Sequence, residues 1–276
     1  MRKPSTPSIE EIVDRALAED LPDITTEAIF GPDERARAEL VAKEEGVIAG
    51  LPFARGVFQT LGADARCDER VREGERVAPG TVVATVEGSV RTILTGERTA
   101  LNLLQRASGI ATVTARYVEA VAGTRAAIYD TRKTAPGLRG LDKYAVTCGG
   151  GKNHRQGLFD MFLIKNNHID RAGSIARAVE LARATGRPEP VMVEVRDLGE
   201  LRQALDAGAD LVLLDNMPPA TMAEAVRVTA GRVPLEASGG VTLESVRAIA
   251  ETGVDRISVG ALTHSVRALD ISLRIL

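Results

Sequence analysis

The chain has 276 residues, 44% of them hydrophobic and 26% charged, enough apolar material for one large core or two ordinary ones. A net charge of −3 excludes a polyanion-coating protein, and 3% aromatics without Trp leave no stacking platform for single-stranded bases. No apolar run reaches the ~18 residues of a membrane span, the start MRKPSTPSIEE lacks a secretory apolar stretch, and Cys67 and Cys148 make neither a disulfide framework nor a Cys-rich metal site. No nucleic-acid or membrane partner is therefore expected, and a cytoplasmic location is the default.

In chain order, the first ~100 residues read as α+β. Ser8 is placed to cap a helix over IEEIVDRALAED, whose Ile9, Ile12, Val13, Ala16 and Leu17 share one face. Short β-rich pieces follow: AELVAKEEGVIAG, ADARCDERV, TVVATVEGSV and RTIL. The stretch VREGERVAPGTVVATVEGSV resembles a small barrel-sandwich module of the kind that carries biotin or lipoate on a lysine. No lysine lies between Lys43 and Lys133, which argues against a carrier. A long helix is expected over ERTALNLLQRASGIATVTARYVEAVAG, with Gly123 as its stop.

Beyond it the pattern alternates. AAIYD, MFLIK, VMVEV, LVLLD, PLEAS and RISVG read as strands. SIARAVELARAT, LGELRQALDAG, ATMAEAVRVTAG and LESVRAIAETG read as the helices between the later ones. The strand ends Glu194, Asp215, Glu236 and Ser258 are 21, 21 and 22 residues apart, a regular βα unit. No Gly-rich dinucleotide turn opens the series, so a (β/α) barrel fits better than an open sheet. The expected fold is α/β: an irregular (β/α) barrel over 102–267, after an α+β sandwich-like domain over 1–101 on which the tail 268–276 packs.

Charge is uneven. From Arg98 to Arg171 there are 12 Lys/Arg against five acids, +7, leaving −10 elsewhere. This window is Gly-rich and holds two of the three histidines, which suits a pocket for phosphates or carboxylates. Each predicted strand also finishes in polar residues: Asp130 with Arg132 and Lys133, Lys165, Glu194, Asp215, Glu236 with Ser238, and Ser258. In parallel barrels the chemistry sits at those ends. The loops EASGGVTLES and ISVGALTHS follow the last two strands. There Gly239, Gly240 and Gly260 let the backbone approach phosphate oxygens, and His264 adds a donor. Arg132 and Arg155 suit planar carboxylates, and Lys133 and Lys165 suit phosphate. Gly149–Gly151 suggests a loop that approaches something or moves. His154 and His168, 14 apart, have no third ligand beside them for zinc.

The strings ERTALNLLQRASGIAT, DTRKTAPGLR, KYAVTCGGGKNHRQGLFDMFLIKNNH, VEV, LLDNM, EASGG and ISVGALTHS resemble the nicotinate-nucleotide pyrophosphorylase (carboxylating) family, also called quinolinate phosphoribosyltransferase. The likeness runs in order from about Ala18 to the C-terminus. It implies transfer of phosphoribose from phosphoribosyl pyrophosphate to quinolinate with loss of CO2, giving nicotinate mononucleotide and pyrophosphate for NAD synthesis. Mg2+ is implied, with no organic cofactor, in a homodimer or higher oligomer.

Carried over by motif, the resemblance gives Arg98 (reaching the neighbouring active site), Arg132, His154, Arg155 and Lys165 to quinolinate. Lys133 lies beside the reacting centre, and Lys133, Lys165, Glu194 and Asp215 are the catalytic set. Glu194 and Asp215 also face the metal on the substrate. Ser238, Gly239, Gly240, Gly260, Ala261 and His264 hold the 5′-phosphate. Two departures stand out: AEDLPDITT is one residue shorter than the family's usual EDLG-GDIT, and Met192 replaces an acid common two residues before Glu194. Rival readings are a paralogous transferase acting on nicotinate or on the substrate of a molybdate-locus relative, a barrel enzyme acting on a phosphorylated sugar, and a non-catalytic phospho-ligand sensor.

Overall fold

The computed structural model describes residues 7–276. The Ser8 hydroxyl accepts the Glu11 N–H, and the Glu11 carboxylate accepts the Ser8 N–H in return, which closes the start of α1 (Ile9–Leu17). Ile12, Val13 and Leu17 form its buried face. Asp23 caps α2 (Ile24–Ile29), and the shortened turn before it contains a cis Leu21–Pro22 bond.

Then follow β1 (Arg35–Ala42), β2 (Gly46–Val47), α3 (Leu51–Leu61), β3 (Arg66–Glu69), β4 (Arg76–Val77), β5 (Val82–Ser89) and α4 (Val90–Ala120). The piece RTIL, expected as strand, is the first turn of α4. Ser89 decides this, because its hydroxyl accepts the Thr92 N–H at 3.0 Å and caps the helix there. The remaining elements are β6 (Ala127–Tyr129), α5 (Arg139–Cys148), β7 (Phe162–Ile164), α6 (Asn166–Ala172), α7 (Ile175–Arg183), β8 (Val191–Val195), α8 (Leu198–Asp206), β9 (Leu211–Asp215), α9 (Pro219–Thr229), β10 (Leu235–Ser238), α10 (Leu243–Glu251), β11 (Arg256–Ser258), α11 (Ala261–His264) and β12 (Ile271–Ile275).

The chain divides into two compact units. One comprises residues up to Ala115, Thr134–Gly150 and Leu262–Leu276; the other comprises Arg116–Lys133 and Gly151–Ala261. The sequence reading instead cut the chain at 101/102 and 267/268. The segment that carries α5 thus belongs to the first unit.

That first unit holds an antiparallel sheet in the order β12-β1-β5-β3 and a small β2–β4 ladder. The C-terminal strand pairs along β1 from Ala38↔Ile275 to Ala42↔Ile271. Leu40, Ala42, Val83, Ala84 and Val86 bury the sheet's apolar side chains. Asp142, fully buried on α5, accepts the Nε and NH2 donors of Arg106 at 2.8 and 2.9 Å and the Ala135 N–H at 3.0 Å. One cation of the basic window is therefore structural. Gly149, read as part of an approach loop, packs instead against α4: a Cβ there would meet the Ala111 carbonyl at 2.5 Å.

The second unit holds a six-stranded parallel sheet ordered β7-β8-β9-β10-β11-β6. Strands pair consecutively, and the last then returns to the first. A doubly wound sheet does not do that; a barrel does. Among the described residues β6 and β7 make no ladder with each other, and the neighbour on the free side of β6 is a single bridge, Tyr129↔Lys152. The irregularity of the barrel lies at this junction.

Candidate active site

Strand register explains why the chemistry converges. Leu163 pairs with Met192, Glu194 with Leu213, and Ser238 with Asp215. Side chains alternate along a strand, so Lys165, Glu194, Asp215, Glu236 and Ser238 share one face of the sheet. One layer below, Met192, Leu211 and Leu213 form a buried apolar cluster with Met161 and Leu163 against it. Met192 is thus a core residue beneath Glu194, and this chain has no acid at that point.

At the top layer Lys165 Nζ is 2.9 Å from Glu194 Oε2. Glu194 is buried, whereas Lys165 is about half exposed, at 51% of its side-chain surface. The Lys165 N–H donates to His168 Nδ1 at 2.9 Å, which fixes the turn into α6 and engages His168 locally. Asp215 Oδ1 accepts from Asn216 Nδ2 at 3.0 Å. Asn216 has a left-handed backbone, φ 52°, and its N–H donates to the Ser238 carbonyl at 2.9 Å. Gly239 (φ 100°) and Gly240 (φ 58°) turn the next loop, and a Cβ on Gly239 would overlap the Asn216 amide. The β9 and β10 loops are thereby fitted to each other. Gly260 and Ala261 lead from β11 into α11.

Beyond β6, Asp130 is fully buried and its Oδ1 accepts the His154 N–H at 2.8 Å; Arg132 and Lys133 follow it, exposed. Arg155 is half-buried, and its NH1 donates to the Met161 carbonyl at 3.3 Å. Burial pushes the Arg155 guanidinium below its ordinary pKa, and the nearby Arg132 charge pushes it the same way. Two like charges held together, one partly desolvated, favour a dianion between them. Asp160 closes the following loop by accepting the Gln156 and Gly157 N–H groups. A largely apolar cavity of about 620 Å³ beside β7 meets these residues at Arg155.

Two predicted site residues fall in the first unit. Arg98 is exposed on α4 with no hydrogen-bond or ion-pair partner among the described residues, and His264 is exposed with Nδ1 2.7 Å from Ser265 Oγ. Two polar residues were not singled out from the sequence as part of this arrangement: Asn216 and Asp160. Glu236, read from the sequence as a strand end beside Ser238, lies two residues inside the end of β10, and the register places it one residue pair below Ser238. The LLDN string does mark a strand end, but not the φ of Asn216.

No group of three or more His, Cys, Asp or Glu among the described residues forms a ready metal cage. Glu194 and Asp215 can supply one or two carboxylates, the number with which proteins commonly hold Mg2+ that rides on substrate phosphates. No helix among the described residues is long and apolar enough to cross a membrane.

The family models for the quinolinate phosphoribosyl transferase N-terminal and C-terminal domains match residues 23–108 and 110–274. A nicotinate-nucleotide pyrophosphorylase [carboxylating] of Mycobacterium leprae is 47% identical over 271 residues, covering 95% of each chain. A probable nicotinate-nucleotide pyrophosphorylase [carboxylating] of Bacillus subtilis is 45% identical over 252 residues, 91% of this chain and 87% of that one. The crystal structure of NadC from Streptococcus pyogenes superposes with a TM-score of 0.93 at 40% identity, covering 100% of both chains.

Proposed function

The chain belongs to the quinolinate phosphoribosyltransferase family, and from that premise we propose that its strand-end cluster transfers phosphoribose from phosphoribosyl pyrophosphate to the nitrogen of quinolinate, with decarboxylation, for NAD biosynthesis. The observation that carries the residue assignment is the shared face of Lys165, Glu194, Asp215 and Ser238, with the Arg132 charge near enough to disfavour the charged form of Arg155.

Arg132 and Arg155 grip the pyridine dicarboxylate, with the bidentate contacts on the 3-carboxylate, which stays. Lys165 serves the ring side and Lys133 the reacting centre. The transition state at the anomeric carbon is oxocarbenium-like. Glu194 and Asp215 stabilise that positive charge and orient the ribose hydroxyls. The loops Ser238–Gly240 and Gly260–Ala261 take the 5′-phosphate on backbone N–H groups. Mg2+ bound to the pyrophosphate, within reach of Glu194 and Asp215, would neutralise charge on the leaving group. Juxtaposing two substrates supplies part of the ~7–11 kcal/mol available from orientation.

Once the nitrogen carries ribose, its positive charge stabilises the electron pair that the departing CO2 leaves at C2, and a proton from water then forms the C2–H bond of the product. The substrate is its own electron sink, so the chemistry requires no organic cofactor. A contact that bound the 2-carboxylate tightly would oppose this step. Arg98, exposed and without a partner among the described residues, reaches the active site of a neighbouring subunit in a homodimer. The site is assigned to the cytoplasm, where both substrates are soluble metabolites.

The deciding experiment supplies quinolinate, phosphoribosyl pyrophosphate and Mg2+, and measures nicotinate mononucleotide, pyrophosphate and CO2. Nicotinate is assayed in parallel. Turnover of nicotinate in place of quinolinate, or binding without pyrophosphate release, would overturn the reading.

A further inference from the structure

We propose that Glu236 is a positioning residue that acts through His154 to fix Arg155. The proposal rests on Arg155 as a quinolinate contact. Glu236 is fully buried on the inner face of β10, in register with Leu213 on one side and Arg256 on the other. A carboxyl there is costly unless its oxygens are engaged. Its Oε1 takes two groups: the Ser258 hydroxyl donates to it, and His154 Nε2 lies 3.3 Å away. Its Oε2 has no partner among the described residues. The unit is specialised around one oxygen.

The His154 ring is committed at both nitrogens. The Arg155 N–H donates to Nδ1 at 2.7 Å, so Nδ1 carries no proton in this bond. The ring N–H is then on Nε2, facing Glu236. The ring is thus held by protein atoms on both sides, with Nδ1 as acceptor and Nε2 turned to Glu236. The His154 N–H is in turn accepted by buried Asp130 Oδ1 at 2.8 Å. Two successive backbone N–H groups are thereby anchored: that of His154 by Asp130, and that of Arg155 by the ring that Glu236 orients.

Arg155 needs such anchoring. Its guanidinium has burial and the charge of Arg132 acting against it, offset in part by the Asp160 carboxylate, and it donates to the Met161 carbonyl at 3.3 Å. Side chains that repel splay apart unless the backbone between them is fixed. Glu236 supplies the fixing from the interior, where no substrate reaches it.

The test uses the full-length enzyme. Nitrogen-15 NMR of the imidazoles, with His154 assigned among the three histidines by its loss in His154→Gln, is expected to show a neutral ring protonated at Nε2. Glu236→Leu fills the site but removes the acceptor. It should change that signature and raise the quinolinate KM about 10–100-fold, the usual range for losing an orienting partner, with the phosphoribosyl pyrophosphate KM unmoved. Glu236→Gln keeps a carbonyl oxygen and should recover most of the loss. Independently of whether the Leu variant folds, His154→Asn places an oxygen where Nδ1 stands. It should raise the quinolinate KM roughly tenfold less than His154→Gln, which cannot accept from Arg155 N–H. A doubly protonated or Nδ1-protonated His154, or equal damage in the Asn and Gln variants, overturns the coupling. An unmoved quinolinate KM in Arg155→Ala overturns the site reading instead, and the NMR result distinguishes the two.

Discussion

Lys165 Nζ lies 2.9 Å from Glu194 Oε2, a contact between the ends of neighbouring strands that joins a half-exposed cation to a buried carboxylate. Each group restrains the other in the absence of substrate. Because the two act on one reacting centre, their losses overlap. Glu194→Gln and Lys165→Met should each lower kcat on the order of 100-fold or more. The double variant should lose far less than the product of the two. Steady-state kinetics on the three variants checks this, and multiplicative losses would separate the residues functionally.

Arg132 has no carboxylate partner among the described residues and stands near the partly desolvated Arg155. Arg132→Ala should raise the quinolinate KM and lower kcat/KM more than ~100-fold, through loss of a bidentate charge-assisted contact. Near-normal kinetics would remove Arg132 from the site.

Arg98 provides a test across subunits. Arg98→Ala and Lys133→Ala homodimers should each be nearly inactive, and mixing them should restore part of the activity in hybrid dimers that keep one intact site. If no activity returns once subunit exchange has been demonstrated by mass spectrometry, Arg98 serves its own subunit.

Gly239 combines φ 100° with a neighbour, the Asn216 amide, that a methyl group would overlap. Gly239→Ala should destabilise the fold by about 1–3 kcal/mol from backbone strain alone. It should also raise the KM for phosphoribosyl pyrophosphate more than that for quinolinate. Calorimetry and kinetics together check it; a change in the quinolinate KM alone would contradict the phosphate-loop assignment.

Alkaline stability has a specific source. Burial, then the Glu73 carboxylate, pushes the Cys148 thiol up to about 12 from its ordinary 9.0, and Tyr144 beside them is also raised. Cys148 Sγ donates to Glu73 Oε2 at 3.3 Å. Above pH 9 the unfolded thiol releases its proton while the folded one keeps it, so the unfolded state binds fewer protons. Stability is fully present below 9 and falls as pH rises towards 12. Cys148→Ser keeps the donor and removes the titration, so its urea midpoint should fall less steeply over that range. An identical slope would place the loss on Tyr144 or on Cys67, whose thiol burial raises to about 11.

Much of this was legible in the residues. Ser8 with Glu11 announced the first helix, and the βα spacing announced the parallel strands, because caps and periodicity are local. Helices α3, α5 and α6 were not anticipated. Gly50 begins α3 with φ 101°, and α5 and α6 lie inside strings that read as ligand loops. In the basic window, Arg106 could not be told from Arg132. One is paired with a buried acid 36 residues away and the other has no such partner among the described residues, and sequence carries no record of distance.

Composition, strand spacing and motif strings by themselves determined the fold class, the family and most of the groups that can bear charge, since each depends on neighbours close along the chain. Tertiary structure alone decided which of those groups share a face, that Met192 lies in the core beneath Glu194, and that both ring nitrogens of His154 are turned to protein atoms. The reason is physical. Strand register and burial arise from contacts between residues tens to more than a hundred positions apart, and a one-residue slip in any ladder would have sent the same side chains to the opposite face.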